Sequence, residues 1–389
     1  MKAVAIVDGE HYPDVVREAL AELPYEFVGV MLVGGTEKLR GVPDYGVPLV
    51  TEPGDAEIAV DLSDEPVLDP RTRLHLASRF LADGIPYVGA DFRFDPPALH
   101  PFEVPSLGVI GTGKRVGKTA VTGAVARALA RDRRVVVVAM GRGGPATPEL
   151  IESPPSLDEL VALSRSGRHA ASDHLETAVL AGVPTIGCRR TGGGMAGATF
   201  TSNVLEGAAL AASLDPDVVV FDGSGAAIPP IDVDARILVA HDVVSGLNPY
   251  RVLISDVVLT MSEHVARDVR ALGKPAFCFG LRLRPVERLT GRRIALFTTG
   301  NVPFAHLGAD VTFVSRNLSD RVALADDLRN VDADTYVVEI KAAAIDMVAE
   351  AALERGVKLV FADNEVVTQP GELDLDELFR GLAPSKVRA

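Results

Sequence analysis

Short apolar runs alternate with stretches of helical spacing along most of this chain. Val4–Asp8 is an apolar run ending in a polar turn, the pattern of a buried strand. Asp14–Leu23 then repeats apolar residues at helical spacing, and Phe27–Val33 is a second apolar run that Gly34-Gly35 breaks. Ile58–Leu62, Arg71–Asp83 and Tyr87–Gly89 continue the order strand, helix, strand. This alternation predicts a Rossmann-like N-terminal domain over residues 1–100. Its end is marked by Phe94–Ser106, which contains Pro96, Pro97, Pro101 and Pro105 and reads as a linker.

The alternation then resumes. Leu107–Ile110 is a strand, Lys118–Ala130 a helix, and Val135–Met140 a fully apolar strand suited to the middle of a parallel sheet. Asp173–Ala181, Val204–Ser213 and Glu263–Leu272 have helical spacing. Thr185–Cys188, Val218–Phe221, Ala235–Ala240, Val257–Thr260 and Ala276–Phe279 read as strands. The pattern predicts a parallel sheet with helices on both faces over residues 101–290. Leu281–Gly291 reads as a basic, proline-containing connection. Beyond it, strands Arg293–Thr298, Val311–Val314, Thr335–Glu339 and Lys358–Phe361 with helix Ala343–Glu354 predict a smaller C-terminal α/β unit over residues 291–389.

Composition narrows the class. At 47% apolar and 24% charged residues, the 389-residue chain is an ordinary globular α/β protein. Two cysteines, Cys188 and Cys278, exclude a disulfide framework and a four-cysteine zinc site. No run approaches the roughly 18 apolar residues of a membrane helix, and Ala3–Val7 is too short for a signal peptide, so a cytoplasmic protein is expected. A net charge of −14 disfavours nucleic acid and anionic membrane as partners. Within that acidic chain, Ser106–Pro148 carries eight basic residues against the single Asp132. Part of this excess, Arg131–Arg134, reads as a solvated helix end. The rest clusters where an anion would sit.

The strand Leu107–Ile110 runs into Gly111-Thr112-Gly113-Lys114-Arg115-Val116-Gly117-Lys118-Thr119 and then a helix. A glycine-rich turn between a strand and a helix wraps backbone N–H groups around phosphate and aims the positive helix end at it. In such a P-loop Lys118 reaches the β and γ phosphates and the Thr119 hydroxyl faces Mg²⁺. This makes the central unit a P-loop NTPase sheet that binds ATP. Thr112 stands where the first glycine of the usual pattern falls, a variation that resembles the loop of dethiobiotin synthetase. Lys114 and Arg115 lie on the outer limb of the loop. The absence of N-K-x-D and T-K-x-D disfavours guanine, and the absence of G-x-G-x-x-G disfavours a dinucleotide.

Further candidates end neighbouring strands. Val218–Phe221 delivers Asp222 as a Walker B carboxylate for Mg²⁺. Met140–Pro145 contains Arg142 and three glycines. Cys188–Met195 contains Arg189, Arg190, Gly193 and Gly194. Arginine clamps phosphate bidentately, and these loops with Lys114 exceed what ATP requires, so the acceptor is expected to be a small phosphorylated molecule. Glu176, opening a helix with Asp173 and His174, is a candidate base or metal ligand. Cys188 reads as core. Asp8–Pro13 and the strand-end residues Glu339, Lys341, Asp363 and Asn364 are further polar turns.

Asp8-Gly9-Glu10-His11-Tyr12-Pro13, Gly111–Thr119, Met140–Pro145, Cys188–Met195 and Asp222–Pro229 together resemble the cyclic 2,3-diphosphoglycerate synthetase family over nearly the whole chain. The resemblance implies ATP-dependent closure of 2,3-diphosphoglycerate into a ring with an internal phosphoanhydride. It also implies a homodimer. In that reading Lys118, Lys114, Arg142 and Asp222 are catalytic, Arg142, Arg189, Arg190, Gly193 and Gly194 bind substrate, and Thr119, Asp222 and Glu176 hold metal. Competing readings are a 2-phosphoglycerate kinase making 2,3-diphosphoglycerate, a regulatory dimeric P-loop ATPase, and an ATP-dependent amidase or ligase acting on another carboxylate.

Overall fold

The computed structural model describes residues 1–34, 39–153, 159, 173–291, 293–340 and 345–384. The N-terminal unit is a five-stranded sheet of order β2-β1-β3-β4-β5. Its elements are β1 (Lys2–Asp8), α1 (Pro13–Glu22), β2 (Glu26–Val33), β3 (Ile58–Asp61), α2 (Pro70–Ala82), β4 (Tyr87–Val88) and β5 (Arg93–Phe94). The first four strands are parallel and β5 is antiparallel. The alternation of side chains across β1 divides the core. Ala5 and Val7 face Val16 and Leu20 of α1. Val4 and Ile6 face α2 and, beyond it, Leu238, Val243 and Leu247 of the next unit. The Rossmann-like unit is therefore packed onto the central sheet through one apolar core.

The two-residue strand β6 (His100–Pro101) lies in the expected linker. The central unit follows: β7 (Ser106–Gly111), α3 (Lys118–Leu129), β8 (Val135–Gly141), β9 (Glu149–Ile151), α4 (Asp173–Ala181), β10 (Thr185–Thr191), β11 (Thr201–Ser202), α5 (Val204–Ser213), β12 (Val218–Asp222) and β13 (Ile231–Asp232). It continues with β14 (Ala235–Ala240), α6 (Asn248–Leu253), β15 (Val257–Thr260), α7 (Glu263–Ala271) and β16 (Ala276–Pro285). Strands β10-β8-β12-β7-β14-β15-β16 are parallel neighbours. Every residue of β7, β8, β12 and β14 is buried. Helices cover both faces, which is why these strands are continuous apolar runs rather than alternating ones. α3 is sandwiched between the sheet and two helices, so nine of its residues are buried.

The C-terminal unit comprises β17 (Ile294–Phe297), β18 (Val311–Ser315), α8 (Arg321–Asn330), β19 (Thr335–Glu339), α9 (Ile345–Arg355), β20 (Lys358–Thr368) and α10 (Leu375–Leu382). It does not stand behind a linker. The expected connection Leu281–Gly291 begins as strand, because β16 runs on to Pro285 and pairs antiparallel with β20 from Phe279↔Thr368 to Pro285↔Ala362. This joins β20-β19-β17-β18 to the central strands in one 13-stranded sheet. Leu281 and Leu283 alternate with Arg282 and Arg284 along this stretch, the period-two signature of a strand. The arginines pair across the ladder with Glu365 and Asp363. Helices α6, α8 and α10 add to those expected from spacing. α10 packs Leu375 and Phe379 against the α3 core.

Candidate functional site

β7 ends in the middle of the parallel sheet, and the chain turns there through Thr112–Gly117 into α3. Gly117 has φ 93° in the left-handed region, and a β-carbon on it would approach Phe279 Cζ to 3.1 Å. Conformation and space both require glycine at this point. Thr112 is buried. Its backbone N–H donates to Val239 O at 3.2 Å, which ties the start of the loop to the neighbouring β14. Lys114 and Arg115 are exposed on the outer limb, as expected, with Arg115 at φ 61°.

Asp222 ends β12, the adjacent strand, and its side chain is 2% exposed. One carboxylate oxygen, Oδ1, accepts from Lys118 Nζ at 2.5 Å and from Thr122 Oγ1 at 2.8 Å. The P-loop lysine is thus held by the Walker B carboxylate across the strand gap. Thr122, one helical turn after Lys118, was not singled out from sequence. Its signal was its place on the same helix face. The buried Asp222 carboxylate at the end of β12 and the Thr119 hydroxyl at the start of α3 are hard-oxygen donors of the kind that suit Mg²⁺.

The chain after Asp222 folds back tightly, with Gly223 N donating to Val109 O and Ser224 paired with Ala227. Gly225 lies at φ 60°. A β-carbon there would stand 3.3 Å from Arg142 Nη2 and 3.9 Å from Arg190 Nη2, and Gly225 O itself lies against Gly111. The structure therefore brings the ends of β7, β8, β10 and β12 together, and with them Gly111, Lys118, Asp222, Arg142 and Arg190. Parallel α/β sheets bind ligands at this end of their strands.

The two arginine loops are not equivalent. Arg142 and Arg189 are exposed. Arg190 is buried. Its Nη1 donates to Gly192 O at 2.5 Å, and its Nη2 donates to Ser224 O at 2.9 Å and Ser224 Oγ at 3.2 Å. Arg190 thus braces the Gly192–Gly194 loop against the Walker B turn. Gly193 and Gly194 are exposed at the same loop. Cys188 is core, as expected, and burial pushes its thiol up to about 12.

Glu176 lies on the helix α4. It is buried and lines a small cavity with Ala120, Leu180, Glu339, Ile340, Asp363 and Asn364. Its acidic neighbours Glu339 and Asp363 belong to the C-terminal unit. Around the same cavity Glu339 accepts from Thr299 N at 2.8 Å and Asn364 Nδ2 at 2.5 Å. Asp363 receives a bidentate Arg284 and stands 3.8 Å from Arg127 of α3. Lys341 lies outside the described residues, as does the side chain of Asp173.

In the N-terminal turn Asp8 is fully buried. Burial alone would raise its pKa, but the N–H of Asp64, the His11 ring and the N–H of Glu10 hold the carboxyl below its usual range. Asp61 anchors α2 and β4 by accepting from Arg73 Nε and Tyr87 Oη.

Three family models match the chain. These are the cyclic 2,3-diphosphoglycerate synthetase N-terminal domain over residues 2–95, its P-loop domain over 106–273 and its C-terminal domain over 285–365. Proteins named cyclic 2,3-diphosphoglycerate synthetase are similar along almost their full length. The one from Rubrobacter xylanophilus is 45% identical, covering 95% of each chain, and that of Thermococcus kodakarensis is 42% identical with the same coverage. The Methanothermus fervidus relative is 36% identical, covering 93% of this chain and 92% of its own. The chain belongs to the cyclic 2,3-diphosphoglycerate synthetase family.

Proposed function

We propose that this protein uses ATP to close 2,3-diphosphoglycerate into cyclic 2,3-diphosphoglycerate, releasing ADP and inorganic phosphate. The observation that carries the reading is the convergence of Arg142 and Arg190 on Gly225, in the turn directly after Asp222 of the Lys118–Asp222 pair. It joins an ATP phosphate site to a cationic surface for a second, phosphorylated molecule. The substrate carries two phosphates and a carboxylate, and Arg142, Arg189 and Lys114 supply the matching cations.

The chemistry needs an activated leaving group. The γ-phosphoryl of ATP passes to an oxygen of one substrate phosphate, and the bond to ADP breaks. An oxygen of the second substrate phosphate then attacks the first phosphorus. The bond to the added phosphoryl breaks, inorganic phosphate leaves and the ring closes. Lys118, leaving Asp222 for the nucleotide, and Lys114 offset charge on the migrating phosphoryl. Arg142 and Arg189 hold the two substrate phosphates together against their repulsion. Thr119 and Asp222 hold Mg²⁺, which when bound neutralises phosphate charge. The proposal includes a homodimer acting in the cytoplasm; light scattering on the purified protein checks the dimer, and a mass of one chain refutes it.

The test is incubation with ATP, Mg²⁺ and 2,3-diphosphoglycerate, followed by phosphorus NMR. A cyclic anhydride signal that grows with ADP and phosphate is expected. ATP hydrolysis indifferent to 2,3-diphosphoglycerate, or ester formation from a monophosphoglycerate alone, overturns the proposal.

A further inference from the structure

On the side of the P-loop away from the arginine loops, β14 ends and His241 follows. Its backbone N–H donates to Thr112 Oγ1 at 3.3 Å, and its ring Nδ1 lies 3.2 Å from the same oxygen. A β-carbon on Gly113 would stand 3.5 Å from His241 Cε1. The ring is therefore held at Nδ1 by the P-loop threonine, with its Cε1 toward Gly113. Past Cε1, the next ring atom is Nε2. The residue is exposed. The neighbouring Asp242 carboxylate accepts from Val244 N and Ser245 N.

The clamp orients the ring. Thr112 Oγ1 accepts the His241 backbone N–H and keeps a proton of its own; in the tautomer where that proton goes to Nδ1, the neutral imidazole carries its proton on Nε2. In that tautomer Nε2 is a donor beside a loop whose other groups are backbone N–H and lysine. This also accounts for Thr112 where a P-loop ordinarily has glycine: glycine there has no hydroxyl to hold the ring.

We infer that His241 donates Nε2–H to a phosphate oxygen seated at the P-loop, of the nucleotide or of the acceptor. The inference rests on the ATP-binding reading of the loop and adds a phosphate contact from β14.

The experiment compares His241→Ala, His241→Gln and His241→Asn in the full chain. It reads ATP affinity by calorimetry without acceptor, and KM for 2,3-diphosphoglycerate in turnover. Gln places an amide donor where Nε2 stands, whereas Asn reaches only the Thr112-facing position. His241→Ala is expected to weaken one of the two constants by about tenfold, the loss of one hydrogen bond to a charged group. Gln should recover most of the loss and Asn little. A change in ATP affinity assigns the contact to the nucleotide, and a change confined to KM assigns it to the acceptor. Both constants within twofold of the parent in His241→Ala overturn the inference. Asn performing as well as Gln also overturns it, because the ring then serves only to hold Thr112. Lys118→Ala is run alongside: if it too binds ATP normally, the P-loop reading itself has failed.

Discussion

Removing Lys118 should destabilise the protein as well as silence it. Its ammonium sits 2.5 Å from Asp222 Oδ1, with the two side chains 10% and 2% exposed. In Lys118→Met the carboxylate stays buried without its ammonium, and the Thr122 hydroxyl remains on that oxygen. Breaking a buried ion pair by removing one partner costs about 3–5 kcal/mol. The Thr122 hydrogen bond offsets none of this, since it is present in both proteins. Lys118→Met combined with Asp222→Asn removes the stranded charge and keeps an oxygen for Thr122. The double variant should therefore regain about 2 kcal/mol over Lys118→Met, which is coupling of the size expected for contacting residues. Urea denaturation of all four proteins of the cycle, without nucleotide and at fixed pH near 7, measures it. ATP binding should be lost in both Lys118 variants. If Lys118→Met denatures at the parent's urea concentration, or the double variant is no more stable than Lys118→Met, the pair is not the buried, mutually compensating contact described here.

Arg190→Ala should lower urea stability and kcat together, because the Walker B turn loses its brace; a change confined to KM would mark Arg190 as a direct substrate contact instead. Gly225→Ala should cost about 1–2 kcal/mol from its left-handed backbone and, by displacing Arg142, raise KM for the acceptor, with thermal melting and steady-state kinetics as the readouts. Asp8 is held below its usual range, so its contribution is complete above the unfolded value of about 3.9 and lost as pH falls through the lower folded value. The stability gap between parent and Asp8→Asn should accordingly close on acidification, and a gap that widens refutes the sign. Burial raises both thiols, Cys188 to about 12 and Cys278 to about 11, so the folded protein should resist iodoacetamide at pH 8 and label only on denaturation, as mass spectrometry can follow.

The central sheet was legible because its strands are buried on both faces. Val135–Met140 and Val218–Phe221 have no polar residue to confuse their period. The motif residues were legible because a P-loop and a Walker B strand are local patterns. What escaped was of two kinds. α6 (Asn248–Leu253) is a six-residue helix with Pro249 near its start, too short for a period to emerge. α8 buries only Leu324 and Leu328. The other kind is non-local. Nothing local says that Leu281–Pro285 finds β20, although its Leu/Arg alternation announces a strand. His241 was overlooked although it directly follows an expected strand neighbouring the P-loop, the position where the carboxyl-end rule places ligand groups. Arg190 looked like Arg142 because burial is not written beside an arginine codon by codon; only the fold separates them.

The excess of positive charge in Ser106–Pro148 shows how far such counting reaches. Arg131 pairs with Asp376, Arg133 donates to Ala383 O and Pro384 O, and Arg134 pairs with Asp215 and Asp217. Arg127 donates to Leu180 O beside Asp363. Half of the eight basic residues therefore fasten α3 and its following turn: Arg127, Arg131 and Arg133 to α4, α10 and the C-terminal unit, and Arg134 to the turn before β12. Lys118 is committed to Asp222 until a nucleotide competes for it. Among the described residues, Lys114, Arg115, Arg142 and Arg189 have no ion-pair partner, and all four are exposed at the carboxyl ends of the parallel strands. The case for a polyanionic acceptor rests on these four rather than on the raw count. The structural half bears on it indirectly: a helix whose N-terminus receives phosphate is gripped near its C-terminus by arginine contacts to three other elements. The P-loop is thereby held in place before any ligand arrives, the condition under which fixed N–H groups stabilise transferred phosphate most.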